Sequence, residues 1–182
     1  MIMPVQDPIL YTQVFPSPAG DLLVGECEGA LCLCDWLIDP SRMEAMARRL
    51  QKGLHAVFLS GETPLLHEAC AQLHSYFEGE RQTFTLPLRP IGTAFQQEVW
   101  EVLRKIPYGK CCSYAAIAQQ IGRPEAVRAV ANAIGANPLS LFIPCHRVIG
   151  KSGDLTGYAG GLAAKRWLLE HEGALPLLDS FS

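Results

Sequence analysis

The sequence lacks several features that would place it in a specialised class of protein. No apolar run among its 182 residues approaches the roughly 20 residues of a transmembrane helix. Residues 1–10 have neither a basic start nor an apolar stretch, so no export signal is expected there. Only 18% of the residues are charged and 49% are hydrophobic, which excludes a disordered chain. We therefore expect a globular protein without a membrane partner, located in the cytoplasm, or in the nucleus if it is eukaryotic.

A strong excess of positive charge is also missing. The net charge of −3 argues against a general nucleic-acid binder. The halves differ, however, because residues 1–90 carry 6 basic and 11 acidic side chains, whereas residues 91–182 carry 9 and 7. Any anion-binding surface is therefore expected in the second half, with few phosphate contacts rather than a broad basic face.

The seven cysteines lack a regular spacing. Cys27, Cys32 and Cys34 are the closest group, and their C-x4-C-x-C spacing fits no common zinc pattern. Buried reduced thiols are favoured over a structural zinc site, so no metal is predicted. An odd number of cysteines without an export signal also favours a reducing compartment.

The first half predicts a small unit of mixed α and β structure. Strand signals over residues 10–38, separated by turn-forming residues, predict a three-stranded antiparallel meander. Helix-start signals at Asp39 and Thr63 predict two helices, with a short strand at 57–59 between them. In the third strand, strict alternation predicts two faces, with Leu31, Leu33, Asp35 and Leu37 on one and Cys32, Cys34, Trp36 and Ile38 on the other. This unit offers no constellation of catalytic residues, so a structural role is expected.

The second half predicts helices and a helix-turn-helix. Thr93 and Gln96 have the spacing of a capping box, Ser113 is placed to cap a helix over 114–120, and Pro124 is placed at the first position of the next helix. The last two helices are joined by about three residues, as in a helix-turn-helix. Arg128 is the single cation of an alanine-rich helix, which suits the minor groove of DNA better than the major groove. An ordinary helical hairpin without nucleic acid is the alternative.

A hexapeptide, residues 143–148, carries the strongest chemical signal. Its apolar entry predicts a short buried strand or extended segment that ends in a turn. Pro144 stiffens the backbone just before Cys145, and His146 and Arg147 follow. A thiol beside an imidazole and a guanidinium favours an activated nucleophile. The alternative is an inert buried cysteine between surface cations.

Two further features lie near the end of the chain. Residues 157–161 form a glycine-rich loop that lets the backbone approach a ligand closely. Glu172 ends the last predicted helix, residues 162–172, where the helix dipole disfavours a carboxylate. Such a local conflict is typical of functional sites, although a solvated helix end is the alternative.

Taken together, these motifs resemble one family, the methylated-DNA–protein-cysteine methyltransferases, also called O6-alkylguanine-DNA alkyltransferases. The resemblance is dense over residues 91–173 and weaker over residues 1–90. The matching blocks occur in this order: Gly92-Thr93-x-Phe95-Gln96-x-x-Val99-Trp100, Ile106-Pro107-Tyr108-Gly109, Ser113-Tyr114, Arg128-Ala129-Val130, Asn137-Pro138, Ile143-Pro144-Cys145-His146-Arg147-Val148, Gly157-Tyr158-Ala159-Gly160-Gly161 and His171-Glu172.

The resemblance implies an α+β fold, with a small ribonuclease-H-like N-terminal domain over residues 1–90. A helical, winged-helix-like domain over residues 91–182 would contain the helix-turn-helix, bind DNA and transfer the alkyl group. The implied function is DNA repair by direct reversal, in one irreversible turnover. The partner would be double-stranded DNA that carries O6-alkylguanine, bound by a monomer through the minor groove. No cofactor is required, because the protein itself accepts the alkyl group. Whether O4-alkylthymine is also a substrate is left open by the resemblance.

The resemblance also implies roles for individual residues. Cys145 would attack the alkyl carbon of a flipped base, His146 would take the thiol proton through a water, and Glu172 would hold the imidazole. Asn137 would pin the turn that braces the site. Tyr114 would rotate the 3′ phosphate and donate a proton or a hydrogen bond to the leaving guanine. Arg128 would fill the gap left by the base. Further DNA contacts are expected from Ser113, Ala126, Ala129 and Asn132, and further lining of the base pocket from Tyr158, Ala159, Gly160, Val148 and Trp100.

Two departures from the family pattern and two competing functions qualify this interpretation. Ala159 stands where many relatives have serine, which leaves only a backbone N–H for the O6 atom, and Asn132 stands where many have glycine. A non-catalytic protein that binds alkyl lesions or regulates transcription is the first alternative, but binding alone would not need Cys145, His146 and Glu172 together. A cysteine hydrolase is the second, and it would have no use for Arg128.

Overall fold

A computed structural model describes residues 7–174 of the chain. The first part is a four-stranded sheet with a helix on each face. The predicted meander is confirmed, and a fourth strand adds in parallel to its first strand, giving the order β3-β2-β1-β4. The elements are β1 (Ile9–Ser17), β2 (Gly20–Cys27), β3 (Ala30–Trp36), α1 (Pro40–Leu54), β4 (Val57–Ser60) and α2 (Pro64–Phe77). The prediction of no export signal rests on residues 1–10, of which residues 1–6 lie outside the described part.

The helices begin where their capping residues predict. The Asp39 carboxylate accepts from the backbone N–H groups of Ser41 and Arg42, and the Thr63 hydroxyl accepts from that of Leu66. Helix α1 buries its apolar face against one side of the sheet, whereas α2 lies in the core on the other side. The second side is the one that the rest of the chain covers.

Strand β3 contains a β-bulge that simple alternation did not predict. Leu31 pairs with Glu26 and Leu33 pairs with the preceding Gly25, so Cys32 is an extra residue between them. Leu31 therefore packs in the core that includes α2, whereas Leu33 packs against α1. The prediction that Leu31 and Leu33 share a face is wrong, because a bulge reverses the alternation beyond it.

The cysteines of this sheet are buried thiols. Cys27, Cys32 and Cys34 lie in the core, and burial raises the pKa of Cys32 to about 12. Within residues 7–174, no cluster of three His, Cys, Asp or Glu side chains is arranged to hold a metal ion. The same part of the chain contains no helix that is both long enough and apolar enough to cross a membrane.

The second part is helical and includes one short two-stranded parallel sheet. Its elements are α3 (Ala94–Leu103), β5 (Cys112–Ser113), α4 (Tyr114–Gln120), α5 (Val127–Gly135), β6 (Val148–Ile149) and α6 (Gly161–His171). The predicted capping box is confirmed, since Thr93 and Gln96 each accept a hydrogen bond from the other's backbone N–H. The pair α4 and α5 forms the predicted helix-turn-helix.

Helix α5 begins later than predicted. Pro124 lies in a turn closed by the hydrogen bond from the Ala126 N–H to the Arg123 carbonyl, 2.9 Å long, and the helix starts only at Val127. Proline suits the second position of such a turn as well as the first position of a helix, because both need the same φ. The local sequence therefore did not distinguish between the two.

The two parts share one hydrophobic core and a set of polar contacts. Buried residues of β2, α2, α3, α5 and α6 belong to a single cluster. At the end of α5, Arg42 donates to the Gly135 carbonyl at 2.6 Å, and Arg49 donates to the Ala136 carbonyl at 2.7 Å. The buried carboxylate of Asp35 holds Arg42 at 2.8 Å. Helix α1 thus supplies partners for carbonyl groups that the end of α5 leaves unpaired.

Candidate active site

The segment before Cys145 is held against the sheet and pinned from within. Its extended part forms only isolated bridges, at Leu139 and Ile143, and Cys145 opens a single 3-10 turn. The Asn137 side chain donates to the Ile143 carbonyl at 2.9 Å and accepts from the Leu139 N–H at 3.0 Å. Leu141 has a φ of 72°, which is rare for a bulky residue. The predicted bracing position of Asn137 is therefore the one that the structure has.

Cys145 is a buried thiol at the wall of a cavity. Its exposed fraction is 5%, and it lines a cavity of about 810 Å³. Burial raises the pKa of Cys145, and a hydrogen bond with Asn137 offsets this only in part. The thiol is therefore protonated at neutral pH, and its activation requires a base that removes the proton as the reaction begins.

His146 has the protonation state that such a base needs. Its Nε2 lies 2.7 Å from Glu172 Oε1, and both side chains are fully buried. Burial lowers the pKa of His146, so the ring is neutral with its proton on Nε2, toward the carboxylate. The other ring nitrogen, Nδ1, is buried without a hydrogen-bond partner among the described residues. A neutral imidazole with a free Nδ1 lone pair, next in sequence to the thiol, can accept a proton directly or through a water.

Glu172 is ionised despite its burial. Desolvation opposes the charge, but the hydrogen bonds from His146 and Arg147 and the positive charge of Arg147 outweigh it and hold the pKa of Glu172 well below its usual range. Arg147 donates from Nε to Oε2 at 2.8 Å and from the guanidinium end to Oε1 at 3.0 Å. The Gly109 N–H donates to Oε2 at 3.2 Å. Gly109 has a φ of 72°, a conformation that favours glycine.

Sequence reasoning missed two of the groups around this carboxylate. Arg147 was expected to help activate the thiol, yet its guanidinium binds Glu172 instead. Tyr76, from α2, donates its hydroxyl proton to Glu172 Oε1 at 2.7 Å. Nothing in the local sequence of Tyr76 signals this contact, because the two residues are 96 positions apart.

The cavity lies between α5 and the loop over residues 156–159. The loop is anchored by the Thr156 carbonyl, which accepts from Lys165 Nζ at 2.9 Å and from the Tyr114 hydroxyl at 3.2 Å. Lys165 is fully buried, and desolvation lowers its pKa to about 8. The Tyr158 hydroxyl accepts from the Trp36 indole N–H at 3.1 Å. The cavity wall includes Tyr114, Val127, Arg128, Ala131, Asn132, Cys145, Thr156, Gly157, Tyr158 and Ala159.

Three residues predicted for the base pocket lie elsewhere. Trp100 is buried between α3 and α5 and donates to the Ala133 carbonyl at 2.8 Å. Val148 is fully buried in β6, paired with Cys112. Gly160 packs against Trp36, so closely that a Cβ there would meet the indole at 2.8 Å. Trp100 and Val148 therefore support the core, and Gly160 lets the loop approach β3.

The residues predicted to contact DNA lie on or beside α5. Arg128 and Asn132 are exposed and also line the cavity, and Ala129 is exposed on the same helix. Ala126 is half-buried at the start of α5. The Ser113 hydroxyl caps α4 by accepting from the Ala116 N–H at 3.1 Å. The structure thus brings an outward-facing small-residue helix next to the opening that leads to the thiol.

Comparisons with known proteins show which family this chain belongs to. Residues 94–174 match the model of the 6-O-methylguanine DNA methyltransferase DNA-binding domain, and residues 10–90 match that of its ribonuclease-like domain. The constitutive methylated-DNA–protein-cysteine methyltransferase of Bacillus subtilis is 61% identical over 155 residues, which are 82% of this chain and 87% of the relative. The Haemophilus influenzae protein of the same name is 40% identical over 171 residues, 93% of this chain and 89% of the relative.

A solved structure supports the same relationship. The Mycobacterium tuberculosis OGT, solved in complex with DNA, is 42% identical and superposes with a TM-score of 0.75 over 91% of this chain and 93% of its own. The expected α+β fold, with a ribonuclease-like first part and a helical DNA-binding second part, is confirmed. The chain belongs to the methylated-DNA–protein-cysteine methyltransferases.

Proposed function

We propose that this protein repairs O6-alkylguanine in DNA by transferring the alkyl group to Cys145. The observation that carries the proposal is the buried thiol at the cavity wall, followed in sequence by a neutral His146 whose Nε2 is held by Glu172 and whose Nδ1 is free. A protein that only bound alkyl lesions would need neither a base nor a carboxylate to orient that base. The proposed roles of Cys145, His146 and Glu172 are nucleophile, base and orienter.

The proposed reaction is one displacement at the alkyl carbon. The sulfur of Cys145 attacks that carbon as its proton moves through a water to His146 Nδ1. A carbon–sulfur bond forms while the bond to O6 breaks, and the guanine that leaves gains a proton. Tyr114 is proposed to give the leaving guanine that proton and to regain one from water, while the His146 imidazolium releases its proton to water. The product is S-alkylcysteine, whose thioether no group in the site can cleave, so each molecule acts once and needs no cofactor.

The base has to leave the duplex before this step. An alkyl carbon inside the base stack is closed to in-line attack, so the nucleotide is flipped out. The cavity between α5 and residues 156–159 offers room for it, and Arg128 is exposed at its edge to fill the vacated space. The small residues of α5 suit the minor groove. Ala159 offers only its backbone N–H to O6, where guanine gains negative charge as it leaves.

The remaining expectations form part of the same proposal. Residues 1–90 and 91–182 are proposed as two domains, and the protein as a monomer on DNA. Seven free thiols suit a reducing compartment such as the cytoplasm. O4-alkylthymine and larger O6-alkyl groups are further candidate substrates of the same cavity.

The direct test is the intact mass of the protein after incubation with an O6-methylguanine oligonucleotide, followed by peptide mapping. We expect a gain of one methyl group per molecule, located on Cys145. Cys145→Ala is expected to bind the same oligonucleotide without any mass gain. A wild-type protein that binds the lesion but stays unmodified would instead indicate a lesion-binding protein, and a methyl group on another residue would refute the assignment of the acceptor.

A further inference from the structure

We propose that Tyr76, a residue of the ribonuclease-like part, is a positioning residue for the proton transfer, because its hydroxyl fixes the carboxylate that orients His146. The inference rests on the proposed alkyl transfer and assigns the first 90 residues a contribution to it that goes beyond structural support. Tyr76 touches neither the thiol nor the cavity, so it would act only through Glu172.

The geometry places the Tyr76 hydroxyl on the same oxygen atom as His146, together with the Arg147 guanidinium at 3.0 Å. Glu172 Oε1 lies 2.7 Å from the Tyr76 hydroxyl and 2.7 Å from His146 Nε2. Tyr76 is 1% exposed, so water does not compete for this hydrogen bond. A charge-assisted hydrogen bond in a buried setting is stronger than an ordinary one, and removal of the hydroxyl changes the environment of the oxygen that His146 uses.

The position of the hydroxyl is determined by aromatic packing around the ring. The Tyr76 ring makes edge-on or tilted contacts, with centroids 5.2–6.2 Å apart, to four other rings: Phe77, Phe84, Tyr108 and His171. These contacts do not involve the hydroxyl, so a phenylalanine can keep them. The phenol also stays protonated, because burial and the nearby Glu172 charge raise the pKa of Tyr76 far above its usual range. It therefore donates and never accepts in this contact.

The hydroxyl limits how strongly Glu172 attracts the proton of His146. A donor on Oε1 takes up part of the carboxylate's charge and makes it less basic. Without that donor, Glu172 would stabilise the imidazolium more strongly, and the pKa of His146 would rise. A protonated His146 cannot take the proton of Cys145, so the transfer would fail at a higher pH than in the wild type.

Other groups face this site, and the Tyr76 substitution must leave them unchanged. Arg147 and the Gly109 N–H bind Glu172 directly, and the charge of Lys165 on α6 acts on His146. Cys111 and Tyr108 also face the charge of Glu172. Tyr76→Phe removes none of them, so a change in pH dependence would report the lost hydroxyl alone.

The experiment compares Tyr76→Phe with a matched control, Tyr108→Phe. The Tyr108 hydroxyl donates to the His171 carbonyl at 3.4 Å rather than to Glu172, and its ring contacts the Tyr76 ring. The single-turnover rate of methyl transfer from an O6-methylguanine oligonucleotide is measured between about pH 5 and about pH 9. In a plot of this rate against pH, the acid limb is the fall in rate at low pH. We expect the acid limb of Tyr76→Phe to lie about one pH unit higher than that of the wild type. We expect the acid limb of Tyr108→Phe to match the wild type.

Each outcome decides the proposal. An unshifted acid limb in Tyr76→Phe, or an equal shift in Tyr108→Phe, overturns it. A wild type that transfers no methyl group defeats the proposed function instead, so the two failures are distinct. If Tyr76→Phe does not fold, 3-fluorotyrosine at position 76 replaces it. As a more acidic donor it should move the acid limb to lower pH, and an unchanged limb would again overturn the proposal.

Discussion

Burial sets the protonation states of Cys145 and His146, the two residues proposed to exchange a proton. It raises the pKa of the thiol and lowers the pKa of the imidazole, so both are neutral at rest. The nearby Arg147 does not pre-form a thiolate, because its guanidinium is committed to Glu172. Proton transfer therefore accompanies the attack instead of preceding it, which confines the reactivity of Cys145 to an alkyl group already in the cavity.

The lowered pKa of His146 predicts how stability depends on pH. Below the ordinary value of 6.5, the unfolded chain binds a proton at His146 that the folded protein does not. The free energy of unfolding should therefore fall as the pH drops below that value, by at most about 1.4 kcal/mol per pH unit for this one group. His146→Gln can still donate to Glu172 but does not titrate, so its stability should depend less on pH in this range.

Urea unfolding between about pH 5 and about pH 7 measures this difference, above the range in which most carboxylates titrate. The comparison is between the slopes of the two proteins, because the substitution also changes stability at every pH. Equal slopes would show that folding leaves the pKa of His146 near 6.5.

Helix α5 connects the proposed DNA surface to the reactive segment. Arg128 is exposed near its start, and its end is fixed by Arg42 and Arg49 from α1. Asn137 follows directly and pins the chain before Cys145. These contacts hold α5 in place against the rest of the protein, which insertion of the Arg128 side chain into a duplex requires.

Arg128→Ala tests whether this helix serves base flipping rather than chemistry. The side chain is exposed at the edge of the cavity and is proposed only to fill the space left by a flipped base, so its loss should spare the reaction of free O6-alkylguanine base. Transfer from duplex DNA should fall by on the order of tenfold or more, because unstacking a base costs a few kcal/mol. Rates of both reactions are measured for the variant and for Arg104→Ala, which removes an exposed arginine from the end of α3. Equal losses on free base and duplex would contradict the flipping role.

Local signals predicted helix starts well and long-range features poorly. The capping residues Thr93 and Ser113 satisfy N–H groups within a few positions, so their sequence suffices. The bulge at Cys32 depends on the partner strand, and the start of α5 depends on whether Pro124 opens a turn or a helix. Neither can be determined from the local sequence, because the competing conformations use the same residues.

The same distinction holds at the site. Cys145, His146 and Glu172 were predicted from motifs, and the structure places the last two in contact. Trp100 was misplaced in the pocket although the helical period was informative, since it lies three positions before Leu103 on the buried face of α3. Tyr76 carries no motif at all, and only the folded chain brings it to Glu172.

At the scale of the whole molecule, the ribonuclease-like part does more than support the helical part. Its Tyr76 and Trp36 side chains donate hydrogen bonds to Glu172 and Tyr158. Its Arg42 side chain lines the cavity and donates a hydrogen bond to the end of α5. The sequence predicted only a structural role, because no catalytic motif lies in residues 1–90. The contribution instead comes from single side chains that reach across the boundary between the two parts.

The shared core predicts that the two parts unfold together. Buried residues of β2 and α2 belong to the same cluster as those of α3 and α6, so separating the parts would expose apolar surface on both. Separation would in addition break the hydrogen bonds that Arg42 and Arg49 donate to the carbonyls of Gly135 and Ala136, which the end of α5 leaves without helical partners. We therefore expect one cooperative transition rather than two, despite a proposed domain boundary at residue 90.

Hydrogen exchange followed by mass spectrometry tests this expectation on the intact chain. Peptides from β2 and from α3 should exchange at their slowest rate with the same opening free energy, and that energy should equal the free energy of global unfolding from urea titration. If the two parts unfolded separately, the peptides of one part would instead open at a lower free energy while those of the other part stayed protected. That result would make residues 1–90 a separable unit, and the interdomain contacts of Tyr76 and Arg42 would then open while the helical part remained folded.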